Sequence, residues 1–344
     1  MKPYIQNKVV GCAPSHGDEI DLRDRLHRPA FWEGLQIVLV LASISAFAAE
    51  PATVVRGTDQ FEFTYHVKLP ALAKGAQLWM PLAKSDAFQT VKVEDISSPA
   101  KYREIADRDH GNKILVLSPT ENDGGKAIEV KYGVRRVEKK IYEARESDIM
   151  RFLRPERLVP LNQTFQSLAD ETTRGKRDEL ARGRAIYDHT LARMKYDKSG
   201  EGWGKGDALY ACDVRKGNCT DFHAYFIALA RAANLPARFA IGATIPADRD
   251  EGEIGGYHCW AEFLADGKWI PVDISEASKH PELADYYFGH HPANRFEISV
   301  GRDLVVDPAP VSSPMNFLVY PLLEVDGKVV QAETAFSFRR VKSN

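Results

Sequence analysis

Cys219, His258 and Asp273 are residues whose types and order could run nucleophilic thiol chemistry in this 344-residue chain. A sulfur would attack, an imidazole would move the proton, and a carboxylate would hold the imidazole. Local patterns give each a position. Lys216-Gly217-Asn218-Cys219-Thr220-Asp221-Phe222-His223 reads as a turn opening into a helix. Gly217 permits a tight entry, Asn218 is a good N-cap, and Asp221 three residues on completes a capping-box-like arrangement. Phe222, Phe226, Leu229, Ala230 and Ala233 then recur at helical spacing as far as Asn234-Leu235-Pro236. Cys219 falls in the first turn, where backbone N–H groups and the positive end of the helix dipole favour a thiolate.

The base and its partner require a different element. Alternating runs on either side of Asp266-Gly267 predict a β-hairpin. With a two-residue loop there, Trp260 lies opposite Asp273. His258 is then a same-face diagonal neighbour of Asp273, roughly 7–8 Å away between Cα atoms. The hairpin thus offers a histidine oriented by an aspartate.

Gly217-Asn218-Cys219, the helix end Ala233-Asn234-Leu235-Pro236-Ala237-Arg238, His258-x-Trp260 and Trp269-x3-Asp273 together resemble the transglutaminase-like (papain-like thiol) superfamily, over roughly residues 155–300. The resemblance implies Cys219 as nucleophile, His258 as base and Asp273 as orienting acid. It also implies an oxyanion hole built from the Cys219 backbone N–H and an upstream side chain, for which Trp203 and Tyr210 are the candidates. Trp260 and His223 are candidates for the substrate pocket, His223 otherwise being hydrogen-bonded near the site or packed beneath it. The implied fold is α+β, an N-terminal β-sandwich followed by a papain-like catalytic domain with a central helix against an antiparallel sheet.

Bulk properties agree with a globular enzyme. Apolar residues make up 44% and charged residues 27%, and the net charge of −2 lacks the basic excess of a nucleic-acid binder. Four cysteines are too few for a disulfide scaffold. An oxidising compartment would allow Cys212 and Cys259 to pair and leave Cys219 free. Cys219-x3-His223 with His258-Cys259 could suggest zinc, but neighbouring strand residues point to opposite faces, so no metal and no cofactor are expected.

Taken in order, residues 1–48 read as a signal peptide: an apolar run Ile37-Val38-Leu39-Val40-Leu41-Ala42, then Ala46-Phe47-Ala48 as a cleavage signature. The leader before the run is unusually long, which leaves open a start downstream of Met1. The run is shorter than the ~20 residues needed to span a bilayer, so no stable membrane insertion is expected after cleavage, and the mature protein would be periplasmic or secreted. Residues 49–145 alternate in short runs and predict the sandwich, with Arg135, Arg136, Lys139 and Lys140 as a solvated strand end. Residues 146–344 predict the catalytic domain with a C-terminal β extension. Within it lie a transition over 146–176, a helix from Lys176 to Met194, a glycine-rich loop over 200–206, and an acidic loop at Asp248–Glu253. Runs at Phe296–Val300 and Phe317–Tyr320 are expected to finish the catalytic sheet. The expected activity is thiol-dependent acyl transfer on a peptide or protein amide, with hydrolysis favoured. Glutamine cross-linking and a non-catalytic envelope binding protein are the alternatives.

Overall fold

The structure, a computed structural model, describes residues 54–341; the predicted signal segment lies outside them. Phe61, Phe63, Tyr65 and Val67 alternate inward along the strand Thr58–Lys68, which is how a half-buried strand buries one face. This strand is the middle of a five-stranded antiparallel sheet, flanked by Ala127–Val137 and Gln89–Ser97 on one side and by Glu333–Arg340 and Glu251–Ile254 on the other. A second sheet runs Lys328–Val330, Leu322–Val325, Ala76–Leu82, Lys113–Leu117, Tyr102–Ala106. Inward residues of both sheets share one apolar core.

The sandwich is therefore closed by strands from both ends of the described chain. The runs predicted over 49–145 form, and Tyr102–Ala106 joins them, but the three C-terminal strands complete the sandwich and not the catalytic sheet. The acidic loop also differs from expectation. Glu251–Ile254 becomes an edge strand on Glu333–Arg340, where the backbone N–H of Arg340 donates to the Asp250 carbonyl. Of the two runs expected to finish the catalytic sheet, only the first does so, as the strand Arg295–Val300; residues 317–320 form no strand and end in a bend at 319–320.

The third sheet, in the order Arg295–Val300, Ala237–Thr244, His258–Ala265, Lys268–Val272, Tyr142–Glu143, carries the site. Five helices accompany it: α1 (Gln163–Thr172), α2 (Glu179–Arg193), α3 (Ala208–Val214), α4 (Cys219–Ala232) and α5 (Ile274–Lys279). Three of these, α1, α3 and α5, lie where no helix was predicted. Asn162 caps α1 by accepting from Phe165 N at 3.1 Å, and the helix earns its place by burying Phe165, Leu168 and Ala169.

Helix α4 is buried along nearly its whole length, not along one stripe. Its opposite side carries Ala224, Tyr225, Ile227 and Ala228, and a helix apolar on every side must be covered on every side. Phe226 meets Phe263 of the sheet, with ring centroids 5.9 Å apart, while α1, α2, α3 and α5 cover the rest. The sheet in turn docks on the sandwich through Phe296, whose ring lies 4.6 Å from that of Phe63.

The basic run at the end of the sandwich is only half solvated, with Arg135 and Lys140 exposed. Arg136 and Lys139 are buried behind the catalytic sheet. Lys139 pairs with Glu262 at 3.0 Å and Glu297 at 3.6 Å, and Arg136 bonds Gln89 at 3.1 Å. Acidic partners that arrive from distant strands make burial of these cations tolerable.

Candidate active site

Asn218 caps α4 as expected. Its Oδ1 accepts from Thr220 N at 3.0 Å, and Asp221 Oδ2 accepts from Asn218 N at 3.0 Å. Asp221 does more than cap. The same carboxylate accepts from Gly204 N at 2.7 Å and Gly206 N at 3.1 Å, tying the glycine-rich loop to the first turn of α4. Gly217 is required by close approach, because a Cβ there would sit 2.3 Å from Asp221 Oδ2. These bonds fix the helix start, and Cys219 is its first residue.

The hairpin forms in the register its turn imposes: Ala261 pairs with Val272, Phe263 with Ile270, and Ala265 with Lys268. Asp266 and Gly267 both adopt positive φ, 50° and 76°, as the tight turn demands. Asp273 follows the last paired residue and caps α5, its Oδ1 accepting from Glu276 N and Ser275 Oγ, each at 3.1 Å. Its Oδ2 takes His258 Nε2 at 2.7 Å, so the other ring nitrogen is left for Cys219, whose sulfur lies within electrostatic reach of His258. The three residues predicted from sequence are thus brought together.

Electrostatics favour an ion pair. Cys219 is 2% exposed and His258 6%. Burial opposes ionisation of the Cys219 thiol, yet contacts with Cys259 and His258 hold it well below the ordinary thiol range. Burial would also lower the His258 pKa, but the charge and hydrogen bond of Asp273 push it up to about 9. Asp273, likewise buried, is held well below the usual carboxylate range by His258 and Arg295. The arrangement is a thiolate beside an imidazolium backed by a carboxylate.

Several supporting residues escape a sequence reading. Buried Arg295 donates from Nη2 to Asp273 Oδ2 at 3.2 Å, and comes from a strand 22 residues away. Asn218 Nδ2 donates to the Tyr257 hydroxyl at 2.8 Å, so Tyr257 reaches the helix cap and is not simple core packing. Tyr320 accepts from Tyr257 N at 3.2 Å and, with Tyr196, lies within electrostatic reach of the Cys219 sulfur. Only a chain-wide contact map could have found these.

Other candidates take different roles. Trp203 donates its indole N–H to Gly200 O at 3.1 Å, within its own loop, and the Tyr210 ring packs on Gly202. Among the described residues no hydrogen bond joins either to Cys219. Trp260 and His223 are fully buried. Trp260 lies behind His258, ring centroids 5.9 Å apart. The Ile274 backbone N–H donates to His223 Nε2 at 3.3 Å, so the neutral ring carries its proton on Nδ1, which meets Cys219 O at 2.7 Å. The expected Cys212–Cys259 disulfide is not formed. Cys259 is a free thiol whose sulfur lies 3.5 Å from His223 Nδ1, turned into the interface between α4 and the sheet. A cavity of about 520 Å³ lies behind the sheet, lined by Phe88, Tyr142, Arg238 and Glu262, and contains none of the three catalytic candidates.

The profile of the transglutaminase-like superfamily matches residues 166–274, which include Cys219, His258 and Asp273. An uncharacterized protein of Haemophilus influenzae is 25% identical over 316 residues, covering 78% of this chain and 86% of that one. A structure from Cytophaga hutchinsonii, described as a candidate cysteine protease, is similar in fold with a TM-score of 0.55 at 18% identity, over 83% of this chain and 94% of that one. The periplasmic domain of TgpA from Pseudomonas aeruginosa aligns with a TM-score of 0.35 at 17% identity, over 65% of this chain and 92% of that one. The chain thus has an α+β fold, and its residues 166–274, which span α4 and the hairpin, match the transglutaminase-like superfamily.

Proposed function

We propose that the protein is an exported thiol enzyme that hydrolyses a peptide or other amide. The observation that carries this reading is the buried chain of contacts from Cys219 through His258 to Asp273, with the nucleophile at a helix N-terminus. Cys219 attacks the carbonyl carbon, and its own backbone N–H faces the developing oxyanion. His258 gives its proton to the leaving amine, and the acyl-thioester is resolved by water that His258 deprotonates. Asp273 keeps the imidazole in the tautomer this requires.

Hydrolysis is supported by the rim of the site. Tyr196 and Tyr257 are half-buried and Tyr320 is 38% exposed, so water meets an acyl group on Cys219 from that side. The same aromatic rim favours a second reading, in which it guides a primary amine to the thioester and the product is a cross-link. A glutamine-containing peptide library offered with and without excess primary amine separates the two. Ammonia release with a free glutamate product supports hydrolysis, and amine incorporation outrunning it supports cross-linking. Export rests on the Ile37–Ala42 run and Ala46-Phe47-Ala48. Among the described residues no helix is long and apolar enough to cross a membrane. A native protein whose mass begins near Ala49 supports export, and retention of residues 1–48 contradicts it.

A further inference from the structure

We propose that Cys259 is the resolving thiol of Cys219: a hydroperoxide oxidises the nucleophile to a sulfenic acid, and Cys259 closes it into a Cys219–Cys259 disulfide that a thiol reductant reopens. The hydrolytic reading gives Cys259 no chemical step, yet its thiol lies between α4 and the sheet, against the first turn that carries Cys219. Both cysteines are free and buried, and His223 Nδ1 meets both, Cys219 O at 2.7 Å and Cys259 Sγ at 3.5 Å, which makes the two residues direct neighbours whose thiols bias each other's ionisation.

The direction of that contact follows from His223. Its Nε2 accepts from the Ile274 backbone N–H, so the ring proton is on Nδ1, shared between Cys219 O at 2.7 Å and Cys259 Sγ at 3.5 Å. Cys259 sulfur is therefore the acceptor toward His223, and its own S–H is left to donate to the Cys219 sulfur. Cys259 stands beside His258 at the start of the strand, so both reach the nucleophile despite the alternation expected of neighbours.

The chemistry balances. The Cys219 thiolate attacks one peroxide oxygen, an S–O bond forms, the O–O bond breaks, and the departing oxygen leaves as hydroxide that takes up a proton as water. Sulfur loses two electrons and the peroxide gains them. Cys259 sulfur then attacks the sulfenic sulfur, an S–S bond forms, the S–O bond breaks, and the Cys259 proton leaves with the hydroxyl as a second water. A neighbour already in contact captures the sulfenic acid before a second peroxide converts it to the irreversible sulfinic acid.

The inference needs only the Cys219 thiolate, not its amide substrate. The test treats the full chain and its Cys259→Ser and Cys259→Ala variants with a few equivalents of hydrogen peroxide, then dithiothreitol, then iodoacetamide, and maps Cys219 by peptide mass. Wild type is expected to lose iodoacetamide labelling about tenfold, to yield a Cys219–Cys259 peptide pair about 2 Da lighter than the two thiols, and to recover with reductant. In both variants Cys219 is expected to gain about 32 Da and to stay unlabelled after reductant. Equal recovery in wild type and variants, or sulfinic acid at Cys219 of wild type at the variants' rate, overturns the proposal. Labelling of untreated wild type reports the nucleophile separately; its absence overturns the thiolate itself.

Discussion

An anion on the buried Cys219 sulfur survives because every neighbour compensates it. The helix N-terminus supplies partial positive charge worth roughly 0.3–1 kcal/mol, up to ~2 kcal/mol when partly buried, and His258 supplies the rest as an imidazolium. That imidazolium persists because Asp273 faces it at 2.7 Å, and Asp273 stays ionised because Arg295 stands behind it at 3.2 Å. Removing one member therefore does more than delete a contact. Cys219→Ala should abolish turnover, and Asp273→Asn should lower kcat by roughly 10³–10⁴-fold by presenting the wrong imidazole tautomer. Steady-state kinetics on an amide substrate checks both, and an Asp273→Asn enzyme with wild-type kcat would contradict the orienting role. The triad was legible because each residue is announced by local chemistry: a capping box, a turn pair, an alternating strand. Arg295, Tyr257 and Cys259 were not, because their roles arise from strands and bends that only tertiary packing brings together.

At the scale of elements, the helix–sheet contact sets the distance between Cys219 and His258. Gly183 in α2 marks how tightly the layers meet, since a Cβ there would lie 2.1 Å from the Phe263 ring. Alanine in a helix interior is favoured over glycine by about 1 kcal/mol, whereas overpacking a full core costs about 1–3 kcal/mol. The larger effect wins, so Gly183→Ala should lower stability by about 1 kcal/mol; a shift of the urea midpoint to higher denaturant would show that the core yields. The hairpin register followed from Asp266-Gly267 alone, because a type I′ turn leaves little choice. The all-round burial of α4 could not be read from its own sequence. Its second face is covered partly by α1 and α3, which are only 10 and 7 residues long and so present few turns from which a pattern can be read.

Across the whole molecule, the unit that carries the candidate site is inserted into the sandwich. The strand Ala127–Val137 leads into it, and Leu322–Val325 returns from it to complete the second sheet. Phe336 then packs on Phe63 and Tyr65, with ring centroids at 5.4 and 4.8 Å. A chain ending at residue 320 should leave Thr58–Lys68 with an open edge and an uncovered aromatic face, and should aggregate. Size-exclusion chromatography checks this, and a monodisperse truncated protein would show that the C-terminal strands are dispensable. The return of those strands was invisible in sequence because alternation identifies a strand and its buried face but not its partner.

The central claim is that Cys219 rests as a thiolate paired with a protonated His258, and the rate of iodoacetamide alkylation at Cys219 against pH tests it most directly. The ion pair exists between the lowered Cys219 pKa and the His258 value of about 9. Alkylation should therefore already be fast at mildly acidic pH and stay level through neutrality, and amide hydrolysis should fall as pH rises through about 9 and His258 loses its proton. His258→Ala should move the alkylation midpoint up toward the free-thiol value of ~8.5. A wild-type profile that rises once, near ~8.5, and overlays that of His258→Ala would contradict the account.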